Sequence, residues 1–166
     1  MNRALRVLLI LFAVALGQIA WHFPQMPAVM ATHYDGSGTP NGWMSRSTAI
    51  GFQIFMLGVV AAAFVALPWA LGRIGTALIN IPNREYWLAP ERRAESVLSL
   101  RRWMAALGCA AVLLLMVVTE LNFRTNLETP PRLPAMPLLV CVSAFLVFMV
   151  LWILGLIRRF QVPAKA

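Results

Sequence analysis

Charge is scarce in this chain, and acid is scarcest. Only 12% of its 166 residues are Asp, Glu, Lys or Arg, about half the share in an average soluble domain. Six residues are acidic and two are histidine, so the groups on which acid–base catalysis and metal ligation draw are few. Cys109 and Cys141 are the whole cysteine complement. Each lies inside an apolar run, and the topology derived below sends them toward opposite faces of a membrane. A disulfide needs Cα atoms within roughly 7 Å. A disulfide framework and a cysteine zinc site are therefore excluded, which leaves both residues as small apolar packers. No phosphate-cradling loop occurs, because Gly72-Arg73-Ile74-Gly75 is too short and lacks the Lys-Ser/Thr ending. The serines form no nucleophile elbow, and there are no repeats, low-complexity tracts or soluble linkers. The net charge of +8 is not gathered into a stripe or a recognition motif, which excludes nucleic acid as the partner.

What the chain has instead is apolar length. Four runs, at about 5–21, 48–71, 103–121 and 137–157, are nearly free of charge. Each can cross a hydrocarbon core of roughly 30 Å as a helix. They predict one all-α domain over 1–166, an integral membrane protein of four transmembrane helices whose first partner is the lipid bilayer. Arg3 and Arg6 precede the first run. Arg73, Arg84, Arg92, Arg93, Arg101 and Arg102 lie between the second and third, and Arg158, Arg159 and Lys165 follow the fourth. The other two loops hold only Arg46, Arg124 and Arg132. The positive-inside rule then places both termini in the cytoplasm. The competing reading of the first run is a cleaved leader ending at Ala13-Val14-Ala15; the run continues past that point to Trp21, and cleavage would leave three spans. Trp21 and Trp43 at one interface, with Trp69, Trp103 and Trp152 at the other, form aromatic belts. Small residues four apart (Ala13 and Gly17, Gly58 and Ala62, Ala106 and Ala110) would permit close helix approach within one chain or in a homo-oligomer.

The runs carry almost no ionisable group, which counts against proton-coupled transport. Glu120 comes nearest, and Arg124 four residues on offers it an ion pair.

The loop after the first run holds most of the chemistry. Pro24 and Pro27 end the helix, and Asp35-Gly36 and Asn41-Gly42 supply turn residues. Ser45 or Ser47 can cap the next helix. The expectation is a compact folded hairpin or omega-like cap facing out of the cytoplasm. His22, His33 and Asp35 are metal-ligand types. Against a metal site stand the commonness of His-x-Asp, an interfacial role for His22 beside Trp21, and an Asx-turn at Asp35. No cofactor is expected. The central loop, 79–102, reads as a turn followed by an amphipathic helix on the headgroups, with Pro90 at its first position and Glu91 in its first turn. Tyr86 and Trp87 would anchor it.

Two stretches together carry a family resemblance. Pro24-x-x-Pro27, then His33-Tyr34-Asp35-x-x-Gly38-x-Pro40-Asn41-Gly42-Trp43, resembles the bacterial membrane family DUF1648, in which Phe, Asn and Asp are usual where Tyr34, Asp35 and Asn41 stand here. Pro82-Asn83-Arg84-Glu85-Tyr86-Trp87, followed by Pro90-Glu91-Arg92-Arg93, resembles a second segment found in many relatives. The motif region spans 22–93. The family includes SdpI-type immunity proteins, which protect a producing cell from a secreted peptide toxin and relay its presence to a repressor. The resemblance implies a multi-pass protein of the bacterial inner membrane; the longer second half of SdpI-type proteins is absent or reduced here, and the immunity function does not transfer.

The leading functional expectation is extracytoplasmic binding or sensing of a ligand, peptide or protein partner rather than enzymatic activity. The residues assigned to it are His33, Asp35, Gly38, Pro40, Asn41, Gly42 and Trp43 on the outer side, with Asn83, Glu85, Tyr86, Trp87, Glu91 and Arg92 on the inner side. One alternative is a small membrane metal-dependent hydrolase using His22, His33 and Asp35. Another is an oligomeric small transporter subunit.

Overall fold

The computed structural model describes residues 3–162; Lys165, counted above among the C-terminal basic residues, lies outside them. In chain order the elements are α1 (Arg3–His22), β1 (Val29–Tyr34), β2 (Pro40–Ser45), α2 (Arg46–Ala70), α3 (Arg84–Trp87), α4 (Pro90–Leu127) and α5 (Ala135–Arg159). Single 3-10 turns cover Phe23–Gln25 and Thr76–Leu78. Four helices, α1, α2, α4 and α5, are long and apolar enough to cross a membrane. The protein is thus mainly helical and multi-pass. The all-α expectation needs one amendment: the segment between α1 and α2 pairs as a two-stranded antiparallel sheet. Pro24 and Pro27 stop helical continuation there, and the β-branched and aromatic residues Val29, Thr32 and Tyr34 favour extended backbone.

The helices overrun the apolar runs that announce them. α4 is the extreme case, at 38 residues or about 57 Å. It fuses the amphipathic segment of the central loop and the third apolar run into one continuous helix, with Pro90 in its first turn. α2 starts at a capped end, where the Ser45 Oγ accepts the Thr48 N–H at 3.2 Å. Near its other end Pro68 lies inside the helix, and the Pro68 carbonyl accepts the Arg101 Nε–H at 2.8 Å.

α4 is the central helix and packs against α1, α2 and α5. A core cluster that includes Leu8, Ile19, Met30, Leu57, Val112 and Phe123 ties α1, β1, α2 and α4 together. Gly108 brings these backbones close. A Cβ there would sit 2.7 Å from the Phe64 Cβ and 3.2 Å from the Leu8 Cδ2. Gly17 and Gly58, which the four-residue spacing singled out, meet nothing within 4 Å, so they do not mediate helix approach within the chain. α5 buries no residue. A second, smaller cluster of Ile79, Ile81, Leu88, Leu100 and Phe160 closes the opposite, arginine-rich end.

Candidate functional site

The hairpin pairs Val29 with Ser45, Met30 with Met44, Ala31 with Trp43, His33 with Gly42 and Tyr34 with Pro40, and its register is irregular on both sides of His33. Gly42 makes room for that histidine, since a Cβ on Gly42 would lie 2.9 Å from the His33 Cβ and 3.1 Å from its Nδ1. At the tip, the Asp35 Oδ1 accepts the Ser37 N–H at 2.8 Å, the Ser37 hydroxyl at 2.7 Å and the Thr39 N–H at 3.0 Å. The Ser37 hydroxyl first, then the two backbone donors, hold the Asp35 carboxyl below the usual carboxylate range. Gly38 adopts φ +81°, a left-handed conformation that glycine takes freely. Its carbonyl accepts the Leu133 N–H at 2.9 Å, and a Cβ there would run into the Leu133 carbonyl oxygen. Asp35, Gly38 and Gly42 are thus builders of the loop. Pro40 opens β2, while Asn41 and Trp43 are exposed.

The hairpin is bolted to α4 by two asparagines that sequence reasoning passed over. The Asn126 Oδ1 accepts the Ala31 N–H at 2.7 Å, and its Nδ2 donates to the Ala31 carbonyl at 3.0 Å. Asn122 donates to the same carbonyl at 3.1 Å and to the Tyr34 hydroxyl at 3.0 Å. Tyr34 is partly buried, and burial pushes its phenol up against the opposing hydrogen bond of Asn126. The available signal was the pairing itself: two amides four residues apart share one helix face, just where the third apolar run ends.

Beside this joint lies a polar cluster between α1 and α4. The Glu120 Oε2 accepts from the Gln18 Nε2 at 2.8 Å and the His22 Nε2 at 3.1 Å, and its Oε1 accepts from the Arg124 Nε at 2.6 Å. The Glu120–Arg124 pair is the one expected from spacing; Gln18 and His22 are additions. The His22 ring also lies 4.9 Å from Phe123. His22 is therefore committed to α4, while the His33 Nδ1 sits 3.2 Å from the Thr32 Oγ1 and Asp35 serves the hairpin tip. Among the described residues no three His, Cys, Asp or Glu side chains converge to hold a metal ion. The constellation of His22, His33 and Asp35 that a metal-dependent hydrolase would need is not assembled, because the Pro24–Pro27 turn and the irregular register at His33 send the three side chains to different neighbours.

Beneath the hairpin is a cavity of about 510 Å³. Ala15, Gln18 and Ile19 of α1 line it, with Thr32, His33, Tyr34 and Met44 of the hairpin. Phe52, Gln53 and Met56 of α2, Met116, Thr119 and Asn122 of α4, and Leu133 and Leu138 complete the wall. The lining is mostly apolar with a few polar groups, as small-molecule sites are. Two of those groups are incompletely satisfied. Gln18 donates through Nε2 to the Met116 carbonyl at 3.1 Å and to Glu120; both are acceptors, so the amide orientation is fixed, and its Oε1 is buried without a partner. The Gln53 Oε1 is likewise buried and unpartnered.

The residues expected on the inner side assemble a latch on the far end of α5. Asn83, at φ 52°, donates through Nδ2 to the Phe160 carbonyl at 2.9 Å, and the Trp87 Nε1–H donates to the same oxygen at 2.8 Å. The Trp87 and Phe160 rings meet edge-on at 5.7 Å. Arg92 donates to the Tyr86 carbonyl at 2.8 Å and stacks 4.0 Å over the Tyr86 ring. Ser96, fully buried, donates to the Trp87 carbonyl at 2.7 Å. Asn83, Tyr86, Trp87 and Arg92 thus hold the fold together here. Glu85 and Glu91 are exposed.

Residues 8–57, which run from α1 through the hairpin into α2, match the family described as "Domain of unknown function (DUF1648)". The latch segment lies beyond the match. No curated protein and no solved structure matches the chain.

Proposed function

We propose that this multi-pass membrane protein, which carries a DUF1648 domain over residues 8–57, is a binding or sensing protein that takes a small ligand in the cavity beneath its hairpin. The cavity carries the reading. It is built from the matched domain and its neighbours, its volume of about 510 Å³ lies within the roughly 300–1,000 Å³ of small-molecule sites, and it contains polar groups without partners. His33 and Tyr34 of the hairpin are part of its wall, so a ligand there would contact the segment that sequence reasoning assigned to recognition. Asp35, Gly38 and Gly42 serve the same site by fixing the shape of that wall. The hairpin faces out of the cytoplasm in this proposal, in a bacterial inner membrane, because the opposite end carries Arg73, Arg84, Arg92, Arg93, Arg101, Arg102, Arg158 and Arg159.

The test uses purified protein in lipid nanodiscs and methylnaphthalene as an apolar probe of suitable size. Retention above that of empty nanodiscs, abolished when Met56→Trp fills the cavity, is the expected result. Equal retention by the Met56→Trp variant, or no excess at all, would overturn the reading.

A further inference from the structure

We infer that the ligand of this cavity presents a neutral hydrogen-bond donor, a hydroxyl or an amide N–H, on an apolar body, and that Gln53 receives it. The inference rests on the cavity being a binding site and adds the chemistry of what it selects. Gln53 is the one strongly polar side chain in the apolar stretch of α2, two turns from the start of that helix. Its side chain makes no hydrogen bond to any described residue, and its Oε1 is buried. A primary amide left without a partner in an apolar surround is costly, and neighbouring helices normally supply one. Here the neighbouring helices supply none, although Asn122, Asn126 and Trp152 are all provided for in the same bundle. Of the Gln53 amide it is the oxygen that is buried without a partner, so the unmet buried need is for a donor, and Gln18 repeats it: its N–H groups are spent on Met116 and Glu120, and its oxygen is left over.

The chemistry of the wall narrows the donor. Two neutral amide oxygens are too few for a hard cation, which takes about six oxygen ligands. An ammonium group would need a carboxylate, but none lines the cavity, and Glu120, bonded to the lining residue Gln18, already accepts from Gln18, His22 and Arg124. A neutral O–H or N–H needs only an acceptor. Met44, Phe52, Met56, Met116 and Leu138 then provide for the apolar remainder, and the unbranched thioethers adapt to its shape.

The experiment compares three probes that share one body: naphthylmethanol, naphthylmethylamine and methylnaphthalene. Each is measured by equilibrium dialysis against the protein in nanodiscs and against empty nanodiscs. Naphthylmethanol is expected to bind about tenfold more tightly than methylnaphthalene after correction for partitioning, with the amine below the alcohol. In Gln53→Leu the two uncharged probes should bind alike, while methylnaphthalene is retained as in the wild type. Gln53→Met serves as a second apolar variant, and an unchanged melting temperature certifies the fold of each. If all three probes bind the wild type equally, the donor inference is overturned while the cavity remains a binding site. A preference for the amine also overturns it. If none binds, the binding reading itself fails.

Discussion

At the scale of single residues, Asn126 performs the work of a neighbouring strand, since its amide engages both the N–H and the carbonyl of Ala31. Asn126→Leu strips the Ala31 N–H of its partner in a buried place, while the carbonyl keeps Asn122. The expected loss is about 1–3 kcal/mol, read as a lower thermal unfolding midpoint, and Asn122→Leu should cost less. Asp35 offers a pH-dependent counterpart. Its folded-state carboxyl lies below the usual range, so its contribution is complete above the unfolded-state value and disappears as pH falls through the lowered folded-state one. The protection of the Ser37 and Thr39 amides against hydrogen exchange, taken relative to the intrinsic exchange rate at each pH, should therefore fall on acidification. Asp35→Asn, which keeps an acceptor oxygen, should remove that pH dependence with the turn still formed. An unchanged acid response in Asp35→Asn would dismiss the carboxylate as its source.

At the scale of elements, the hairpin and the latch are each closed by contacts to a distant part of the chain. Gly38→Ala places a Cβ against Leu133 and forces a left-handed conformation on alanine, so it should unseat the loop before α5 and destabilise by more than the about 1–2 kcal/mol of the backbone conformation alone. Thermal unfolding in nanodiscs measures this, with Gly36→Ala, which meets nothing within 4 Å, as the control. In the latch, Trp87→Phe keeps a ring but loses the indole N–H to Phe160 and should cost about 0.5–1.5 kcal/mol; Trp87→Ala should cost several times that. These elements differ in how far they could be read in advance. The four long helices follow from runs of apolar residues, a local property, and Ser45 or Ser47, of which Ser45 is the cap, and Pro90 marked two helix starts by local chemistry. The turn residues likewise announced a compact folded loop after the first run, which is the hairpin of β1 and β2. What stayed hidden was long-range. Asn122 and Asn126 meet Ala31 across more than ninety positions, and Gln18 meets Glu120 across a comparable gap. The cavity exists only once α1, the hairpin, α2, α4 and the start of α5 are brought together. The same applies to the latch: its residues resembled a recognition motif, yet their partner is Phe160, at the far end of α5.

At the scale of the whole molecule, the arginine distribution predicts an orientation that can be measured. In a background of Cys109→Ala and Cys141→Ala, Ser37→Cys should react with a membrane-impermeant maleimide on intact cells. Glu85→Cys should react only after permeabilisation. The reverse pattern would invert the topology and place the cavity on the cytoplasmic side. α5 has its own place at this scale. It buries no residue, yet the segment leading into it is tied to the hairpin through Leu133 and Gly38, and Phe160 just beyond it is tied to Asn83 and Trp87. A rod clamped at both ends, and touching α4 between them chiefly where Trp152 and Gly155 meet Trp103, transmits load between its clamps. Away from Trp152 and Gly155, the exposed side chains of α5 can then be exchanged for other apolar ones at small cost, whereas its length is fixed: inserting or deleting a residue rotates one clamp by about 100° relative to the other and pulls either the hairpin or the latch out of place.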